Sequence, residues 1–457
     1  MRLDDTIAAI ATPLQPSGLG VIRVSGNQAV PMVEQLFKSS NTTLKKSETH
    51  KLIQGWIHDD GKLIDKVLVV LMRSPRSYTT EDVVEIQCHG SPFILRTILD
   101  LVLRQGARLA EAGEFTQRAF LHGRIDLTQA EAVLDLVHAG SVVGARLAAQ
   151  QLRGKLYHAI EEVKQQVVST ASLVEATIEF PEEDTEFMHR DECLQRIEQA
   201  CTDIENLLVH ADQGLRMREG FNVVLIGRPN VGKSSLMNTL LREQRAIVTT
   251  IPGTTRDYIE ESVQIKGLAF RLTDTAGIRH TKDLIETEGI RQTHNVLSRA
   301  DLVLLILDAS EKLNDEDLSL FSEIIKERTI TVLNKIDLLS GRKPDWYKEI
   351  SGNESVLISA KTGDGCDELE SRLFDKATQG GLPQEDEIWI TNRRQKQAAE
   401  QALVALLQAR EGLEQSKGEE FIAVDLRSSL NALGDIVGQT TSDDLLGRIF
   451  SDFCIGK

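Results

Sequence analysis

Cysteine is scarce in this chain, positive charge is outnumbered, and long apolar runs are missing. The five cysteines (Cys88, Cys193, Cys201, Cys366 and Cys454) are odd in number, widely spread and never paired as C-x-x-C. That argues against both a disulfide framework and a zinc site, and reduced thiols fit a cytosolic protein. No stretch reaches the roughly 18 apolar residues of a bilayer span, so no membrane crossing is expected. The opening MRLDDTIAAIATPLQPSG has acids where a secretory signal needs lysines, and a cytoplasmic location is expected. With 52 Lys and Arg against 69 Asp and Glu, the formal charge of -17 repels a phosphate backbone. Any nucleic acid must therefore be met by a local basic patch or through a partner.

What is present suffices for several domains, because 457 residues exceed one ordinary core. Residues 1–120 alternate β-rich runs (Gly20 to Val24, Lys66 to Leu71, Val83 to Gln87) with turns and one or two helical stretches, which predicts an α+β domain. From Asp126 the period changes. Ala130, Val133, Leu134 and Val137 fall on one helical face, and Leu194, Ile197, Cys201, Ile204 and Leu208 on another, with Cys201 as a small core side chain. The stretch PEEDTEF from Pro181 reads as an acidic loop between helices. A strand from Asn222 opens an alternating β/α segment to about Ala377, and helical pattern resumes at Asn392. The expected architecture is multidomain: an N-terminal α+β domain over 1–120, an all-α helical domain over 121–217 and 380–457, and an inserted α/β P-loop domain over 218–379.

The inserted segment carries the chemistry. The strand FNVVLIG runs into GRPNVGKSS, which fits G-x-x-x-x-G-K-[ST] and is followed by the helical SLMNTLL. Gly227 and Gly232 turn backbone N–H groups inward, Lys233 reaches the β and γ oxygens, and the Ser234 hydroxyl is placed for Mg²⁺. Asn230, Val231 and Ser235 complete that loop. DTAG follows the strand AFRLT, with Asp274 for the magnesium shell, then Thr275, Ala276 and Gly277, whose amide senses the γ-phosphate. NKID supplies Asn334, Lys335 and Asp337, and SAK supplies Ser359, Ala360 and Lys361. Asp337 accepts two hydrogen bonds from guanine that adenine cannot offer, so the nucleotide is expected to be GTP.

The residue after D-x-x-G is Ile278, which neither donates nor accepts a hydrogen bond, where Ras-type enzymes place a glutamine. Another group must orient water and neutralise charge. The segment VTTIPGTTRD, with Thr249, Thr250, Ile251, Pro252, Gly253, Thr254 and Thr255, is rich in hydroxyls and carbonyls. Together with the side-chain oxygen of Asn230, such a cage suits a monovalent cation.

End to end the chain resembles the tRNA-modification GTPase family MnmE, also called TrmE. The resemblance rests on DTIAAIAT, VIRVSG, GEFTQRAFLHGRIDLTQAEA, GRPNVGKSSLMN, IPGTTRD, DTAGIR and TSDDLLGRIFSDFCIGK. The GTPase motifs specify only a superfamily; the motifs at the two ends specify the family. The resemblance implies an N-terminal domain that binds 5-formyl- or methylene-tetrahydrofolate, and a homodimer whose G domains meet across the nucleotide in a K⁺-dependent way. It implies K⁺ on Asn230, the Thr249 and Ile251 carbonyls and Thr254, and Mg²⁺ on Ser234 and Thr255. Glu286 would orient the water, and Arg23, Glu85, Arg124 and Lys457 would contact folate, Arg124 standing where some members have lysine. It also implies a heterotetramer with the flavoprotein MnmG, which would bring the FAD and most of the tRNA-gripping surface. The product would be a carboxymethylaminomethyl or aminomethyl group at C5 of a wobble uridine. The residues alone assign the first domain no ligand: SGLGVIR reads equally as a turn before a strand, and Arg23 as an ion-pair partner.

Near the last residues, Leu446, Phe450 and Cys454 step by four beside Ile449 and Phe453, and TSDD offers an N-cap hydroxyl. Cys454 either completes that apolar stripe or presents a thiol on a mobile tip with Lys457 nearby. With the family resemblance, the second reading makes Cys454 a reactive group at the folate-bearing centre. Two other classes compete with the whole reading: a ribosome-assembly or signalling GTPase switch, and a folate-dependent transferase with a regulatory G domain.

Overall fold

The computed structural model describes residues 4–40, 42–179, 190–243, 260–274, 297–323, 325–339, 343–344, 346–347, 355–379, 381–384 and 386–456. It divides into two compact units, one of residues 1–134 with 433–457 and one of residues 135–432.

The first unit is built on a seven-stranded sheet in the order β3-β4-β5-β6-β2-β1-β7, among the described residues. Its strands are β1 (Ile7–Ile10), β2 (Ser17–Ser25), β3 (Phe37–Lys38), β4 (Leu52–Asp59), β5 (Lys62–Met72), β6 (Val83–Gly90) and β7 (Arg108–Leu109). Only β1 and β7 run parallel; the other pairings are antiparallel. The expected strands at Gly20, Lys66 and Val83 are β2, β5 and β6. Period-two burial decides which side chains face the core: Ile22, Val24, Val69, Leu71, Val84 and Ile86 pack under helices Ala29–Leu36 and Pro92–Arg104. Cys88 lies in the same core, where burial chiefly pushes its thiol up to about 12. Arg23, between Ile22 and Val24, therefore points to the opposite face.

That opposite face holds a charge network that the sequence reading did not reveal. Arg118 is fully buried. Its Nη1 donates to the Asp5 carbonyl at 2.8 Å and to Glu81 Oε1 at 3.0 Å; its Nη2 donates to Asp5 Oδ1 at 2.6 Å and Glu114 Oε1 at 3.0 Å. Arg108 donates to Asp5 Oδ2 at 2.7 Å and to Glu114 Oε1 at 2.5 Å. Hydrogen bonding from Arg108, and then from Arg118, holds the Asp5 carboxyl below its ordinary value against the cost of burial. At Glu114 burial pushes upward most, but the bonds from Arg108, the Glu111 amide and Arg118 together leave it lowered. Depressed carboxylates stabilise the fold above their ordinary values of 3.8 and 4.5, and that contribution is lost as pH falls through the folded-state values.

Residues 433–457 belong to this unit. Leu446, Phe450 and Phe453 pack with Leu127, Ala130 and Phe120. The helix Asp443–Ser451 stops at Ser451, so Cys454 leaves the stripe and is exposed, contrary to the reading in which it completes the apolar face. Ser442 stands at the N-cap without a side-chain capping bond. The tip is also not loose. Ile455 forms an antiparallel bridge with Ala112, the Gly113 amide donates to the Cys454 carbonyl at 3.4 Å, and Gly456 is buried. Gly456 has φ +98, and a Cβ there would lie 2.4 Å from the Ile10 carbonyl, so only glycine fits.

The second unit contains a six-stranded sheet in the order β13-β12-β11-β8-β10-β9, among the described residues. These are β8 (Phe221–Ile226), β9 (Glu260–Ile265), β10 (Leu268–Asp274), β11 (Leu302–Asp308), β12 (Thr329–Asn334) and β13 (Ser355–Leu357). All neighbours run parallel except β9 against β10. Every residue of β11 and β12 is buried, as central parallel strands require. Val223, Leu225, Leu304 and Ile306 fill one face with Leu236, Leu240 and Leu369, while Val224, Ile226, Val303 and Leu305 fill the other. Helices Lys155–Glu179, Arg190–Leu208 and Arg393–Glu414 pack together, and Asn392 caps the last by accepting from the Arg394 amide at 2.9 Å. The buried stripe of Arg190–Leu208 is Cys193, Ile197, Ala200, Cys201, Ile204 and Leu207. Cys201 is core as expected, its thiol pushed up to about 11 chiefly by burial. Leu194 and Leu208 sit only half-buried at the stripe's margin, because Cys193 and Leu207 lie nearer its centre. No helix among the described residues is long and apolar enough to cross a membrane.

Replacing Arg118 by Met leaves Asp5 and Glu114 with Arg108 as their cation and Glu81 with none among the described residues. Removing one partner of a buried ionic network costs about 3–5 kcal/mol. Urea unfolding at neutral pH should show that loss, and a change within about 0.5 kcal/mol, the usual scale of a surface substitution, would contradict the network's role.

Candidate functional site

The parallel strands of the second unit end at one edge of the sheet, where Gly227, Asp274, Asn334 and Ser359 close or follow them. β8 runs into the turn from Gly227, and the helix Lys233–Glu243 begins where the turn ends. Asn230 adopts φ +65, a left-handed conformation that asparagine tolerates better than most residues. Gly232 has φ +101, and a Cβ there would lie 2.2 Å from Asn334 Nδ2. Lys233 is buried and its ammonium donates to the carbonyls of Gly227 and Arg228, both at 2.7 Å.

β10 lies beside β8 with Asp274 opposite Leu225, which carries the carboxylate to the phosphate loop. The Ser234 hydroxyl donates to Asp274 Oδ2 at 2.9 Å. A hydroxyl and a carboxylate in contact are the hard oxygen donors that suit Mg²⁺.

Asn334 ends β12 and joins three motifs. Its Nδ2 donates to the Val231 carbonyl at 2.7 Å, and its Oδ1 accepts from the amides of Lys335 at 2.8 Å and Ala360 at 2.9 Å. Ser359 donates to Asp337 Oδ1 at 2.8 Å, linking SAK to NKID. Asp337 itself is exposed, as is Lys361.

Two residues not singled out from the sequence belong here. Asp308, the last residue of β11, accepts from Lys335 Nζ at 2.5 Å and from Ser310 Oγ at 2.6 Å. Burial raises its carboxyl, but the bonds from Lys335 and Ser310 outweigh this and hold it low. An aspartate closing the wholly apolar LVLLILD was the available signal. Thr239, nearly two turns into the helix, donates to the Ala360 carbonyl at 2.7 Å, and nothing local in the sequence announces it.

In the first unit, Arg23 and Glu85 are register partners on β2 and β6, with Nε to Oε1 at 2.8 Å. Arg23 Nη1 also donates to the Gly456 carbonyl at 3.3 Å, which brings the Cys454–Gly456 segment beside it. The guanidinium lies 5.8 Å from the Tyr78 ring centre and 5.6 Å from that of Phe115. Burial chiefly raises the Tyr78 hydroxyl's pKa, opposed by a bond with Thr116 and the charges of Arg23 and Arg124. Arg124, itself exposed, thus acts electrostatically on the same tyrosine.

Thr249, Thr250, Ile251, Pro252, Gly253, Thr254, Thr255, Thr275, Ala276, Gly277, Ile278, Glu286 and Lys457 lie outside the described residues, as does the stretch PEEDTEF.

A phosphate loop between strand and helix, a Ser–Asp pair beneath it and an exposed Asp in the NKID loop linked to SAK define a P-loop GTP-binding protein. A family model described as "MnmE helical domain" matches residues 127–454, and one described as "GTP-binding protein TrmE N-terminus" matches 6–124. Curated relatives agree along the whole chain. Proteins named tRNA modification GTPase MnmE from Desulforamulus reducens and Syntrophus aciditrophicus are 43% and 45% identical, each over 100% of both chains. Among solved structures, the Aquifex aeolicus Era variant bound to GDP and aluminium fluoride is 28% identical over 41% of this chain and 67% of its own, at a TM-score of 0.29, too low to bear on the fold. The chain belongs to the MnmE family of tRNA modification GTPases.

Gly232→Ala should keep the fold and weaken nucleotide binding. The strained left-handed backbone and the contact with Asn334 cost about 1–3 kcal/mol, so GDP affinity measured by calorimetry should fall roughly tenfold or more. Unchanged affinity would contradict the close approach of the two loops.

Proposed function

We propose that this chain is a K⁺-dependent, Mg²⁺-requiring GTPase. With the flavoprotein MnmG it adds a carboxymethylaminomethyl or aminomethyl group to C5 of the wobble uridine of certain tRNAs. The observation that carries the GTPase part is Asn334, which binds the phosphate loop and the SAK loop through one side chain, with Ser234 against Asp274 beside it.

Lys233 and the amides around Gly232 hold the phosphates, and Asp337 selects guanine. Ser234, with Thr255, would hold Mg²⁺, which neutralises phosphate charge when bound. Asn230 with the Thr249 and Ile251 carbonyls and Thr254 would hold K⁺, supplying the positive charge that an arginine finger brings elsewhere. Glu286 orients the attacking water, a task that Ile278 cannot perform. Hydrolysis drives closure of two G domains in a homodimer rather than the modifying chemistry itself.

The one-carbon unit comes from 5-formyl- or methylene-tetrahydrofolate. The cluster of Arg23, Glu85, Tyr78 and Phe115 supports this reading, since it offers a cation and carboxylate for the polar groups of folate beside aromatic faces for its ring. Arg124 and Lys457 complete the set, and Cys454 presents an exposed thiol on the segment bonded to Arg23. FAD enters only with MnmG, and tRNA is gripped mainly by that partner. The proposed domains are 1–120, 121–217 with 380–457, and 218–379, the first also dimerising, and the location is cytoplasmic.

GTP turnover of the native protein and of Cys454→Ser, measured in KCl and in NaCl at equal ionic strength with tRNA modification followed in parallel, tests the proposal. Turnover should need K⁺ in both proteins, whereas modification should vanish in the variant. Equal turnover in the two salts, or parallel loss of both activities, would contradict it.

A further inference from the structure

At the opposite ends of the strands that carry the GTP loops, the second unit has a cavity of about 400 Å³ with a polar lining. It lies where the start of β8 and the middle of β10 meet helices Ala211–Glu219 and Arg393–Glu414. Five cations line it: Arg216, Arg271, Arg299, Arg393 and Lys396.

Each acid in the lining already has a cation. Asp301 takes Arg216 at 2.9 Å and also the Asn222 amide at 2.9 Å. Glu219 takes Arg393 at 3.0 Å, and Lys396 serves both Asp212 at 2.6 Å and Glu400 at 3.5 Å. Arg271 and Arg299 have no carboxylate partner among the described residues. Within Arg271 the Nε is buried with no hydrogen-bond acceptor. A buried N–H without an acceptor is rare in folded proteins, and two unmatched guanidinium groups in one cleft form an electropositive, donor-rich site.

We infer that this cleft binds a phosphate-class oxyanion, with Arg271 and Arg299 as its ligating pair. A tetrahedral oxyanion supplies acceptors to the Arg271 and Arg299 guanidinium groups and balances the lining's excess of one positive charge, five cations against four carboxylates. The site is separate from the nucleotide edge yet shares its strands: Arg271 stands three residues before Asp274 on β10 and is the register partner of Asn222 on β8. The same chemistry has two sources, free phosphate and a phosphate of an RNA backbone.

Calorimetry on the full chain saturated with a non-hydrolysable GTP analogue, which keeps the phosphate loop filled, tests the site. Inorganic phosphate should bind saturably over chloride at equal ionic strength. Arg299→Ala, at an exposed position, and Arg271→Ala should each weaken it by about tenfold or more, with circular dichroism confirming that both variants fold. A short single-stranded RNA that competes with phosphate and loses affinity in the same variants identifies a backbone phosphate as the ligand; an RNA that does neither identifies the free anion. Absence of saturable phosphate binding, or equal binding by both variants and the native protein, overturns the inference.

Discussion

One buried side-chain amide organises the nucleotide site. Asn334 sits at the end of a fully buried strand, and its Nδ2 and Oδ1 reach Val231 in one direction and Ala360 in the other. An amide is suited to this because it donates and accepts at one end of one side chain, so both contacts share a single rotamer. Loops that otherwise depend on their own turns thereby inherit the rigidity of the sheet. The crowding at Gly232 follows from the same geometry: the phosphate loop can approach Asn334 only where no Cβ intervenes. Asp308 repeats the device one strand over, fixing Lys335 from below.

The first unit uses charge where the second uses an amide. Arg118 and Arg108 bind Asp5, Glu81 and Glu114 under the face that carries Arg23. Glu114 Oε2 also accepts from the Glu111 amide at 2.8 Å, which shapes the turn that pairs through Ala112 with Ile455. A buried network thus reaches, in two steps, the segment that bears the exposed Cys454. A thiol whose own carbonyl and whose next residue pair with Gly113 and Ala112 is held in a defined orientation.

Much of this was legible in the sequence because it is local. The β-rich runs pointed to β2, β5 and β6, and the motifs GRPNVGKSS, DTAG, NKID and SAK pointed to the strand ends that carry Lys233, Asp274, Asn334 and Ser359. What escaped depends on distant pairings. Asp5 and Arg118 stand 113 positions apart, and no spacing rule links them. Thr239 and Ala360 are equally remote in the chain. Cys454 was ambiguous for a different reason: apolar steps of four continue past Phe450, but the helix ends at Ser451, and periodicity does not register where a helix stops. The placement of Arg23 between Ile22 and Val24 was readable, whereas its bond to Gly456 was not.

The central claim is that Asn334 makes the phosphate loop and the SAK loop one unit. Amide hydrogen exchange of Asn334→Ala in the GDP complex tests it most directly. Protection should fall together at Val231 to Ser234 and at Ser359 to Lys361, with the rest of the sheet unchanged. Loss at one loop alone, or at neither, would contradict the account.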